Sequence, residues 1–280
     1  MRQTVFAAAI VVALCTLSGC DRPSQTPAGQ PGADQTQPLP EPVAEDQPVV
    51  LEDVVEATSD YLVGISYQGD AERYPGLAKQ LKAYADAARD EVIEAAQSRP
   101  QGEDAGSNVP YDLSLSFTEV LQSPELVSWA ADGSSYTGGA HGMPLLARFS
   151  WLPREQKMLT AADLVPEAEG WKQISAYVRE QLHTQLSQRV DADDPAPEDR
   201  TRMLGSAGRM IDEGTAPTPD NFAQFEPVAG ADGKLRGLRF VFGPYQVGPY
   251  SDGVQSVEVP ASVLLPQIAP GYRHLFEGGD

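Results

Sequence analysis

Two short segments concentrate the residue types from which a recognition site is built. Tyr136-Thr137-Gly138-Gly139-Ala140-His141-Gly142 places three glycines around one of the chain's three histidines. Glycine tolerates positive φ and close backbone approach, so this loop can fold tightly and present His141. The competing reading is a sharp hairpin in which His141 only bonds backbone. The second segment, Gly243-Pro244-Tyr245-Gln246-Val247-Gly248-Pro249-Tyr250, repeats Gly-Pro-Tyr after five residues. Rigid turns that display tyrosine resemble recognition surfaces, because Tyr offers large contact area at low entropic cost. Its structural counterpart is a pair of tyrosines packed over a sheet edge. Tyr136, His141, Tyr245 and Tyr250 are therefore the candidate ligand-binding residues.

Other chemistries fail on spacing. His183 stands in Glu180-Gln181-Leu182-His183 with no second histidine four residues away, and no residue set has zinc-ligand spacing. Gly205-Ser206-Ala207-Gly208 is one residue too short for a nucleophile elbow. Gly230-Ala231-Asp232-Gly233-Lys234 lacks the glycine and the Ser/Thr of a phosphate loop; Asp-Gly between two β-like runs reads as a hairpin turn. A calcium loop begun at Asp191 would put Ala196 and Arg202 where glycine and glutamate belong. No catalytic residue, metal ligand or cofactor is nominated, and a binding role is favoured over an enzymatic one. The alternatives are an envelope hydrolase using acidic residues near His141, or a structural envelope lipoprotein.

The elements that must position these loops show in the apolar spacing. Val49–Val55 and Tyr61–Tyr67 read as strands around a Ser59-Asp60 turn. Leu77, Leu81, Tyr84, Ala88 and Val92 form a helical stripe behind Pro75, with Pro100 and Gly102 marking its end. Three β-like runs follow at Asp112–Val120, Leu126–Ala130 and Leu145–Trp151, the first alternating until Glu119. Trp171, Ile174, Val178, Leu182, Leu186 and Val190 predict a second long helix, and Glu198–Ile211 a third, more polar one. Strands at Leu238–Phe242 and Val254–Val259 and an apolar end at Val263–Ile268 complete the chain. The expected fold is α+β, a mostly antiparallel sheet packed with two long helices.

The N-terminus carries an address. Arg2, about ten apolar residues from Val5 to Leu14 and a small-residue region make a secretory signal. Leu17-Ser18-Gly19-Cys20 resembles the bacterial lipobox, which implies a signal peptide at 1–19 and acylation of Cys20 with palmitate-type chains. Cys15 leaves with the signal, so no cysteine is left for nucleophilic or metal chemistry. From Asp21 to Pro48, seven prolines without apolar periodicity read as a tether, so 20–48 is assigned as linker. The remainder divides into an N-terminal α+β lobe at 49–135 and a C-terminal sensor-like α+β lobe at 136–280. The expected location is the cell envelope, lipid-anchored and facing the periplasm.

Charge limits the partners. Lys and Arg number 20 against 40 Asp and Glu, giving −20, and losing Arg2 takes this to −21. Such a chain repels nucleic acid and anionic headgroups, so membrane contact is expected through the Cys20 lipid alone.

Tyr136–Gly142, Phe149-Ser150-Trp151, Leu159–Leu164 and Phe242–Ile268 together resemble a bacterial extracytoplasmic domain family of uncharacterised function. This pattern spans roughly 136–266, and Val50–Trp129 is similar to the companion domain that precedes it. The pair occurs in the lysozyme-sensing ectodomain of an anti-sigma factor and in the non-catalytic part of a peptidoglycan deacetylase. This chain shows no sigma-binding segment, spanning helix or deacetylase domain, so neither regulation nor catalysis carries over. What the resemblance implies is a sensor-like fold and a ligand of the same class: a basic protein such as lysozyme, another envelope-active protein, or peptidoglycan.

Overall fold

A computed structural model describes residues 49–99 and 109–279, all within one compact unit, Asp46–Asp280. The signal peptide, Cys20, the tether and the Pro100/Gly102 stop lie outside the described residues. The first strands, β1 (Val54–Ala57) and β2 (Tyr61–Gln68), form an antiparallel hairpin. Its turn is closed by the Thr58 hydroxyl, which accepts the N–H of Asp60 and Tyr61 at 3.1 and 2.9 Å. Helix α1 (Pro75–Gln97) follows, with proline in its first turn, where a missing N–H costs nothing. It then buries Leu77, Leu81, Ala85, Ala88 and Val92 along one face.

Because α1 crosses over the sheet, β3 (Tyr111–Gln122) returns parallel to β2. The chain then meanders antiparallel through β4 (Val127–Tyr136), β5 (Met143–Leu152) and the short β6 (Lys157–Met158), giving six strands in sequence order. Leu113, Leu115 and Phe117 alternate inward, and the break expected at Glu119 is a register shift between Glu119 and Leu121. Trp129 and Trp151 complete the core under α1. The first strand starts later than the apolar run at Val49 suggests, and β4 runs on to Tyr136.

A capping box at Thr160 and Asp163 starts the short α2 (Ala161–Leu164). Helix α3 (Ala168–Asp193) buries the whole stripe expected of it, from Trp171 to Val190, and ends on Asp194 at φ 44°. Helix α4 (Pro197–Gly214) packs on it through Ala207, Gly208 and Ile211. A second, three-stranded antiparallel sheet follows: β7 (Phe225–Ala229), β8 (Leu235–Phe242) and β9 (Gln255–Pro260). Strand β7 escapes the sequence reading because it is short and interrupted by Pro227. The Gly230–Lys234 segment is the β7–β8 turn, with Asp232 at φ 54° and Gly233 at φ 74°. Helix α5 (Ala261–Leu264) follows β9 and joins the second core, which centres on Trp171, Phe222, Phe240 and Phe242.

The fold is thus α+β with mostly antiparallel sheets, and α1 and α3 are its two long helices. Tyr136, at the expected lobe boundary, is the last residue of β4 within the six-stranded sheet. One buried charge ties the two sheets together. Arg148 on β5, its side chain 5% exposed, donates to Glu226 on β7 at 2.7 Å and to Asp132 on β4 at 3.0 Å. Its N–H also donates to Gln224 Oε1 at 2.7 Å. Among the described residues, no helix is long and apolar enough to cross a membrane.

Candidate functional site

The joined sheets bring two distant loops together, residues 137–142 between β4 and β5 and 243–250 after β8. Gly138 and Gly139 adopt φ 103° and 95°, which a residue with a Cβ rarely tolerates. This turns the first loop sharply over Tyr136, whose hydroxyl donates to the Gly139 carbonyl at 3.2 Å. The Tyr136 ring stands edge-on to Tyr111, with centroids 6.3 Å apart. His141 is thereby carried onto the second loop, where its ring stacks on Tyr250 at 4.0 Å and 22°.

The hydrogen bonds set the state of the imidazole. His141 Nδ1 lies 3.0 Å from the Gly142 carbonyl, which can only accept, so Nδ1 carries the proton. Nε2, the other ring nitrogen, faces the Tyr245 hydroxyl at 3.3 Å. Tyr250 Oη donates to the same Gly142 carbonyl at 3.1 Å. That carbonyl is the hub of the cluster.

The two tyrosines of the repeat play different parts. Tyr250 is partly buried and supports His141, while Tyr245 stands 52% exposed at the loop tip. Tyr245 is held at φ 71°, a left-handed conformation that disfavours an L-residue by about 1–2 kcal/mol. Its N–H donates to the Gly248 carbonyl at 2.9 Å, and Gln246 N–H to that of Gly243 at 3.1 Å. The Gln246 side chain donates to the carbonyls of Gly214 and Asn221 at 3.2 and 3.0 Å, and Val247 is buried to 1%. The loop root is therefore locked while its tip presents a phenol.

The structure brings His141, Tyr245 and Tyr250 into one aromatic cluster and places Tyr136 at the base of the same loop. Both readings of His141 meet here, for it bonds backbone and also buttresses an exposed tyrosine. The Gly142 carbonyl and Gln246 were not singled out from sequence. A backbone acceptor has no sequence signature, though Gln246 lies inside the doubled Gly-Pro-Tyr. Among the described residues, the hydrogen-bond partners of His141 are the Gly142 carbonyl and the Tyr245 hydroxyl. Among the described residues, no group of three or more His, Cys, Asp or Glu could hold a metal.

Tyr245 and Tyr250 fall within a recognisable segment. Residues 162–262 match a family described as "Protein of unknown function (DUF3298)". The DUF3298 match runs from α2 to α5 and includes the doubled Gly-Pro-Tyr, whereas Tyr136 and His141 precede it. A crystal structure of a DUF3298 family protein from Pseudomonas aeruginosa PAO1 is similar, with a TM-score of 0.54 at 18% identity. It covers 83% of this chain and 99% of that one. A DUF3298 family member from Bacteroides fragilis NCTC 9343 aligns with a TM-score of 0.42 at 17% identity, over 78% and 92% of the two chains. At such identity the Pseudomonas likeness is one of fold, and it reaches well beyond the DUF3298 segment. No curated protein matches the chain.

Proposed function

We propose that this protein is a lipid-anchored binding module of the cell envelope, which recognises a basic envelope-active protein such as lysozyme through Tyr245, Tyr250 and His141. The observation that carries the reading is Tyr245, half-exposed in a strained backbone conformation on a locked loop. Local strain of this kind persists only where surrounding structure enforces it, and it concentrates at binding and catalytic sites. A tyrosine immobilised before binding contributes contact area without further ordering cost. The net charge of −20 supports a basic partner, since a complementary field speeds encounter. The lipobox-like Leu17–Cys20 and the proline-rich 20–48 support a tethered domain facing the periplasm. The resemblance described above supports lysozyme as the first protein to try.

The test is calorimetric titration of Asp46–Asp280 with a c-type lysozyme at low and high salt. Binding that weakens but persists at high salt is the expected result. Binding abolished by salt reduces the interaction to general charge attraction. Absence of heat at both salts refutes lysozyme as the partner and turns the search to peptidoglycan fragments.

A further inference from the structure

A groove of about 610 Å³ lies between α3, α4 and the turn at 249–252, a volume typical of ligand sites. Its floor is apolar, made by Leu186 and Val190 of α3 and Ala207 of α4. Met203 and Met210 form one wall, and Met203 is 39% exposed. Methionine walls adapt to the shape of an apolar guest.

The charges around this floor are unequal. Arg189 is pinned by Asp252 at 2.9 Å and by Gln255 at 3.0 Å, and Arg202 is paired with Asp199. Asp193 is the lining charge for which no ion pair or hydrogen bond is found among the described residues. It stands at the end of α3 beside Asp194 and close in sequence to Glu198. With the lining arginines paired to carboxylates, Asp193 is the lining charge left over, on a chain that is already strongly acidic.

From the apolar floor and the unpaired Asp193 we infer a second binding surface, which takes a cationic amphipathic helical segment of a partner protein. Apolar side chains at i, i+3 or i+4 would lie on Leu186, Val190 and the methionines, and a Lys or Arg at the segment's edge would meet Asp193. The surface borders the turn that carries Tyr250 but involves neither His141 nor Tyr245, so substitutions at Met203, Met210 and Asp193 test it separately from the proposed function.

The probe is a fluorescein-labelled amphipathic peptide of leucine and lysine, with a leucine and glutamate peptide of the same pattern as control, titrated into Asp46–Asp280. The lysine peptide should bind and the glutamate peptide should not. Asp193→Asn should weaken binding by about two- to fivefold, as for a solvent-exposed charge pair. A Met203→Ser, Met210→Ser double variant should weaken it by about tenfold or more through lost apolar contact. Glu94→Gln, an exposed acid on α1, and Tyr245→Ala should leave the affinity unchanged. Equal effects of Asp193→Asn and Glu94→Gln would reduce the interaction to diffuse charge and overturn the inference. So would retained affinity in the methionine variant, or equal binding of the glutamate peptide.

Discussion

Replacing Arg148 by methionine removes a charge from the seam between the two sheets while keeping much of its volume. In the native protein the guanidinium is 5% exposed and satisfies Glu226, Asp132 and the carbonyls of Ala131 and Ala147. Among the described residues Glu226, whose side chain is 12% exposed, then keeps Arg239 at 3.3 Å. Breaking one side of a buried pair costs about 3–5 kcal/mol, because the other charge is left without compensation. Arg239 keeps this case near the lower end, about 3 kcal/mol. For a unit of this size each kcal/mol lowers the melting temperature by about 2–4 °C, so a fall of about 6–12 °C is expected. Adding Glu226→Gln to Arg148→Met removes the stranded charge and should restore more than half of the loss. Thermal and urea unfolding of the single and double variants measures both numbers. A loss below about 1 kcal/mol in the single variant, or no recovery in the double, would refute the role of Arg148 as the tie between the sheets.

Three further outcomes follow from local geometry. Tyr245→Gly should be more stable than Tyr245→Ala by about 1 kcal/mol in urea unfolding, since glycine accepts φ 71° and alanine does not; equal stabilities would contradict the left-handed backbone. Gly214→Ala, usually stabilising in a helix, should instead destabilise by about 1–3 kcal/mol, because its Cβ would run into the Gln246 carbonyl, and lysozyme binding should weaken with it. At Asp163, burial acts to raise the carboxyl pKa. Hydrogen bonds from the Thr160 hydroxyl and N–H, with the Lys157 charge, outweigh it and hold the group below its ordinary value. Its contribution is therefore complete above about pH 4 and is lost as pH falls through the lowered pKa. The cost of Asp163→Asn, read by chemical unfolding, should be constant at neutral pH and shrink in acid.

The helices were legible because their signal is local. Six apolar residues from Trp171 to Val190 at helical spacing can face one core in only one conformation, and Pro75 marks the start of α1 for steric reasons. Most strands were legible from alternation, but their partners were not. The parallel pairing of β2 with β3 depends on where α1 crosses, and nothing in Tyr61–Gln68 records it. The candidate site was half legible. Glycines at 138, 139 and 142 and the doubled Gly-Pro-Tyr marked two unusual loops, yet more than a hundred residues separate His141 from Tyr245 and Tyr250. Their meeting follows from the packing of the two sheets, where Arg148 pairs with Glu226, a pairing that no local pattern announces. The methionine groove was hidden for the same reason, since α4 reads as a polar helix until it is packed on α3.

In the proposed function the strained, half-exposed Tyr245 on its His141–Tyr250 support is the recognition surface. Tyr245→Gly separates recognition from folding, because the substitution relieves the backbone while deleting the phenol. Calorimetric titration of lysozyme into wild-type and Tyr245→Gly Asp46–Asp280, at high salt, is the most direct measurement. The variant should be as stable as wild type within about 1 kcal/mol, with affinity lowered at least tenfold. Undiminished affinity in that variant would contradict Tyr245 as the recognition surface.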